Sequence, residues 1–124
     1  MLHAFSVDVS DDGNGRDVHL SVHGEIDLSV APQLLGAIER AARSFDHHLI
    51  VVDLRDVSFM DSEGLAALVA AHRNLVGKGS HLVVSNPSAM IARLLEATGI
   101  DSYVDVRYRR RALHGSAGRP VLRR

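Results

Sequence analysis

Cysteine is absent from the 124-residue chain, and with it go disulfides, thiolate catalysis and cysteine-ligated zinc. Tryptophan is also absent, and aromatics reach only 4% against 46% hydrophobic residues overall. A core must therefore be built from Leu, Val, Ile and Ala. No apolar run approaches the ~20 residues of a membrane-spanning helix. The opening Met1-Leu2-His3-Ala4-Phe5-Ser6-Val7-Asp8 has neither the basic nor the apolar region of a secretory signal. Gly-x-Gly-x-x-Gly, P-loop, His-Glu-x-x-His and Gly-x-Ser-x-Gly patterns are all missing. These absences point to a cytoplasmic domain with no bound cofactor, no metal and no enzymatic activity of its own.

The length suits one domain, but charge is unevenly spread along it. Residues 1–106 hold fifteen acids against seven basic residues, a formal −8, while 107–124 hold the other seven basic residues, all Arg, and no acid. An acidic body repels nucleic acid and favours a basic protein partner. The Arg-rich end, including Arg109-Arg110-Arg111, lacks the aromatic interleaving of single-strand binders and any periodicity. We expect it to be a disordered, solvated extension that follows a domain over 1–106.

Within that domain the apolar period alternates between two and about 3.6. Phe5 to Val9 and Val18 to His23 read as strands of a hairpin, joined by the turn-rich Asp11-Asp12-Gly13-Asn14-Gly15. Leu34, Leu35, Ile38, Ala41, Ala42 and Phe45 follow helical spacing, with Asp27 or Ser29 as N-cap and Pro32 in the first turn. Leu49-Ile50-Val51-Val52-Asp53-Leu54 reads as a central strand, followed by a loop over 55–61. A second helix begins near Ser62, with Leu65, Leu68, Val69, His72, Leu75 and Val76 on its inner face, and ends at Gly77-Lys78-Gly79. A strand over 81–85 comes next, then a helix capped by Ser88 with Met90, Ile91, Leu94 and Leu95 inward, then a last strand over 103–106. This order predicts an α/β fold: a mixed sheet with helices packed mainly on one face through right-handed crossovers.

The informative stretch is Phe59-Met60-Asp61-Ser62-Glu63-Gly64-Leu65, which runs from the strand edge into a helix N-terminus. Open α/β sheets receive partners and ligands at the carboxyl ends of their strands. A helix N-terminus there tolerates added negative charge. On local grounds alone Asp61 and Ser62 also read as an ordinary cap, Gly64 as a close-packing position, and Glu63 as a first-turn acid favoured by the helix dipole. Eight His residues show no metal-ligand spacing; His19, His23, His47 and His48 read as surface or strand-face residues, and His72, on the apolar face of the second helix, as a half-buried, satisfied His.

The same stretch resembles the signature of STAS domains, specifically of bacterial anti-sigma factor antagonists. Gly24-Glu25-Ile26-Asp27 with Ala31-Pro32-Gln33-Leu34, and Leu94-Leu95-Glu96-Ala97-Thr98-Gly99-Ile100, resemble two further landmarks of that family, in its order and spacing over residues 5–106. The resemblance implies a protein that binds an anti-sigma factor serine kinase and is switched off by phosphorylation at Ser62. It also implies a PP2C-type phosphatase that would reverse the modification. Asp61 would orient the Ser62 hydroxyl and cap the helix, and Asp27, Asp61, Glu63 and Gly64 would form the partner surface. Ser or Thr commonly follows the phosphosite in the family; here it is Glu63. That departure motivates an alternative, a STAS interaction module in a larger signalling or transport assembly that works without phosphorylation. The resemblance implies no direct contact with nucleic acid or membrane.

Overall fold

Along β2 (Asp17–Ile26) every second residue is buried, as expected of a strand with one face packed and one face open. The computed structural model describes residues 4–11, 16–44, 49–109 and 122–123. β1 (Ser6–Asp11) pairs antiparallel with β2, and β2 lies parallel to β3 (Leu49–Met60). The sheet continues in parallel through β4 (His81–Ser85) and β5 (Asp105–Arg109), and β6 (Leu122–Arg123) pairs antiparallel with β5. Spatial order equals chain order. The crossovers are α1 (Ala31–Ser44), α2 (Ser62–Val76) and α3 (Ala89–Ala97), the last followed by a 3₁₀ turn over Ile100–Ser102.

All three helices pack on one face, as predicted. Val18, Leu20 and Val22 of β2, Ile50, Val52 and Leu54 of β3, and Leu82 and Val84 of β4 form one buried cluster with residues of every helix. Leu34 and Ile38 come from α1, Leu68 and Leu75 from α2, and Ile91 and Leu95 from α3. The opposite face carries a polar row in register across five strands: Asp8, Ser21, Asp53, Ser85 and Arg107. On that face the His23 imidazole stands between Asp8 and Asp56, at 3.4 and 3.6 Å.

Several expectations are corrected. β3 does not end at Leu54 but runs on to Met60, so the anticipated loop is strand. The β2–β3 register slips between Ser21 and His23 and again between Gly24 and Glu25. These bulges change the inward period of β3 from two to three (Leu54, Val57, Met60) and hide the strand from a search for alternation. On α2 the buried face is Gly64, Leu65, Ala67, Leu68, Ala71 and Leu75, while Val76 is 50% exposed. The alanines are buried because α1 packs close alongside. Gly77 keeps right-handed helical geometry, and the left-handed turn falls at Gly79. On α3 the Ser88 cap is as expected, its hydroxyl accepting from the Ile91 N–H at 3.2 Å, but Met90 is exposed. Tyr103 precedes β5, which runs from Asp105 to Arg109, so Arg107 and Tyr108 belong to the sheet rather than to a tail. Expectations for residues 12–15, Phe45, His47, His48, Arg110 and Arg111 lie outside the described residues.

The revised inner face of α2 is directly testable. Leu68→Ala should lower unfolding stability by about 2–5 kcal/mol, whereas Val76→Ala should change it by no more than about 0.5 kcal/mol. Urea denaturation of both variants separates the two faces.

Candidate functional site

The site lies where β2 and β3 end together. Ile26 and Met60 are paired residues at the ends of these strands, and both are buried. The chain leaves Ile26 into a turn that starts α1 and leaves Met60 directly into α2. A hydrogen bond from the Asp61 N–H to the Ile26 carbonyl, 3.1 Å, ties the two exits together.

Asp61 is the N-cap of α2. It sits in extended backbone, and its Oδ1 accepts from the N–H groups of Glu63 (2.9 Å) and Gly64 (3.1 Å). The Leu65 N–H reaches the Asp61 carbonyl at 3.1 Å, so one residue accepts from the Glu63, Gly64 and Leu65 donors of the first turn. Ser62 follows as the first helical residue and is exposed, as is Glu63. The expected hydroxyl therefore stands at the rim of the sheet, in reach of another protein. Asp61 performs the expected cap.

Gly64 is buried, under the surface rather than on it. A Cβ there would lie 2.6 Å from Met60 Cγ and 2.9 Å from Ile26 Cγ2. Its place in the sequence pattern follows from this close approach, which seats the first turn of α2 on the strand ends. Gly64 thus shapes the site from beneath and offers a partner no side chain.

Asp27 anchors the other exit. Its Oδ1 accepts from the Ser29 N–H (2.9 Å) and the Ser29 hydroxyl (2.6 Å), and its carbonyl accepts from Val30 and Ala31. The Ser29 hydroxyl is the chief reason that the Asp27 carboxyl titrates below its ordinary range; loss of hydration works the other way, and the Ser29 N–H adds to the lowering.

Two exposed apolar residues border these carboxylates and were not anticipated: Leu28, 66% exposed, and Phe59, 42% exposed. Large apolar side chains inside an otherwise polar, motif-bearing stretch were the signal available in the sequence. A groove of about 270 Å³ runs from Leu28 along the α1–α2 seam and includes Glu63 in its wall. A larger groove of about 540 Å³ lies between β1 and α1, walled by Phe5, Val7, Val9 and Arg40, and touches none of the candidate residues. Among the described residues no group of three or more His, Asp or Glu is arranged to hold a metal ion. No described helix is long and apolar enough to cross a membrane.

Comparison with known proteins agrees with this geometry. The family model described as "Mlab, STAS domain" matches residues 9–107. The chain is 33% identical over 90 residues to an anti-sigma-B factor antagonist of Listeria monocytogenes, covering 73% of this chain and 78% of the relative. It is 32% identical over 93 residues to that of Bacillus subtilis, covering 75% and 84%. The chain belongs to the STAS-domain family of anti-sigma factor antagonists. A crystal structure of an anti-sigma factor antagonist from Mycobacterium paratuberculosis superposes on this STAS domain with TM-score 0.72 at 32% identity, covering 83% of this chain and 85% of the other. The unphosphorylated form of the antagonist SpoIIAA shares the fold, with TM-score 0.67 at 21% identity over 92% of each chain.

Two outcomes follow for this STAS domain. Gly64→Ala should cost about 1–3 kcal/mol in urea denaturation, because Met60 and Ile26 must move aside for the added methyl. The Asp27 carboxylate should stay ionised below the usual carboxylate range. Its contribution to stability should be complete above the ordinary carboxylate pKa and lost as pH falls through the lowered value. An NMR titration of the Asp27 carboxyl checks this, and Ser29→Ala should return its midpoint towards the ordinary range.

Proposed function

We propose that this STAS domain is a cytoplasmic antagonist that holds an anti-sigma factor serine kinase while Ser62 is unmodified and releases it once Ser62 is phosphorylated. A PP2C-type phosphatase then restores the binding form. The carrying observation is the exposed Ser62, presented by a first turn that Asp61 caps through Glu63 and Gly64, at the edge where β2 and β3 end.

The chemistry asked of this chain is that of an acceptor. In the partner's active site the Ser62 Oγ would bond to the γ-phosphorus of ATP, the bond to the bridging oxygen would break, and ADP would leave. The hydroxyl proton would pass to a base on the kinase. Asp61 contributes by capping the helix and so fixing where Ser62 stands. Asp27, Asp61 and Glu63 give the partner surface a negative charge that suits a basic counterpart.

A second reading rests on Glu63, an exposed carboxylate directly beside the acceptor. If that charge disfavours the modification, the domain works as a phosphorylation-independent interaction module.

Incubation with candidate anti-sigma factor kinases and ATP, followed by mass-spectrometric mapping, decides between them. Phosphate should appear on Ser62. Ser62→Ala should take up none and stay in the binding state, while Ser62→Asp should bind the kinase about 1–3 kcal/mol more weakly. Phosphate on a different residue, or wild-type signalling by both variants, overturns the switch.

A further inference from the structure

We infer that the α1–α2 groove walled by Leu28, Pro32, Leu35, Ala66, Ala70 and Glu63 receives an apolar side chain, flanked by an arginine or lysine, from the partner that reaches Ser62. The inference rests on the proposed function for the identity of that partner. It adds where, beyond the acceptor, the partner is anchored.

The groove exists because α2 meets α1 with alanines. Small side chains at Ala66 and Ala70 leave the outer seam between the helices unfilled, and Leu28 stands on its lip, 66% exposed. At about 270 Å³ the space falls just under the ~300–1,000 Å³ of small-molecule sites and suits a side-chain anchor. Its walls are apolar except at Glu63, the one ionisable residue lining it. An occupant therefore needs an apolar tip and a cation positioned at the Glu63 end. The formal −8 of residues 1–106 favours the same charge. Glu63 is the residue next to Ser62, so a body that covers the hydroxyl also covers this end of the groove. Interfaces of this kind concentrate their energy in a few apolar anchors set within a polar rim. Glu63 then acts as a selector, attracting a partner with a basic residue at that position and disfavouring one with an acidic residue.

The test uses the full chain and the kinase that modifies Ser62 in the mapping experiment. Leu28→Asp and Ala70→Glu should raise KM for this chain about tenfold or more at unchanged kcat, since the groove does not touch the reacting oxygen. Val76→Asp, at an exposed apolar position on α2 outside the groove, should leave both constants at wild-type values. Glu63→Lys should raise KM, and reversal of one basic residue on the kinase should restore it. A wild-type KM for Leu28→Asp and Ala70→Glu overturns the inference, as does sedimentation showing that Leu28→Asp abolishes self-association of this chain. If an anti-sigma factor binds the wild type without modifying Ser62, the switch reading fails alone; Leu28→Asp must then still weaken binding about tenfold. Binding by no anti-sigma factor overturns both.

Discussion

The site depends on the contact between the first turn of α2 and the ends of β2 and β3. At Gly64 the helix lies so close to Ile26 and Met60 that a single added carbon has no space. That closeness lets the Asp61 N–H reach the Ile26 carbonyl and lets its carboxylate turn back onto Glu63 and Gly64. It also fixes helical phase: with Gly64, Leu65 and Leu68 directed into the core, Ser62 and Glu63 are left facing solvent. One packing constraint thus determines what is buried, what caps, and what a second protein meets.

Both chain exits are stiffened in the same way. A carboxylate follows each strand end, Asp27 after Ile26 and Asp61 after Met60, and each accepts hydrogen bonds from the residues just beyond it. Ionised acceptors bonded to backbone donors are stronger than neutral ones. These two aspartates therefore shape the backbone that carries the acidic rim as well as contributing charge to it.

Much of this was legible in the sequence because local chemistry and the fold agree. The switch from period two to 3.6, Pro32 in the first turn of α1, the start of α2 at Ser62 and the Ser88 cap need only neighbours along the chain. What stayed hidden needs neighbours in space. The last six residues of β3 take up two extra residues against β2, so their burial falls out of alternation. Ala67 and Ala71 are buried because α1 is beside them, while Val76, more hydrophobic than either, has nothing over it. Gly64 was recognisable as part of a motif, yet its role beneath the surface depends on Ile26, thirty-eight positions earlier. Leu28 offers no periodic signal at all; only the groove beside it gives its exposure a meaning.

The anchored first turn also decides how a modification at Ser62 would act. Phosphate adds about −1.5 to −2 charges, and helix N-termini often stabilise such groups through free N–H donors. Here the Glu63 and Gly64 donors are already bonded to Asp61. A phosphate would have to displace a carboxylate to use them, and it would do so with the like charges of Asp61 and Glu63 close by. It would therefore project outward and leave the cap and the core as they are. The change a partner meets would then be electrostatic: a surface already negative becomes more so, with no refolding of the domain. A partner selected to lay a cation against Glu63 would tolerate the unmodified rim. A single cation matched to Glu63 would leave the added charge of a phosphate unpaired in the desolvated contact, so the modified rim would bind it more weakly.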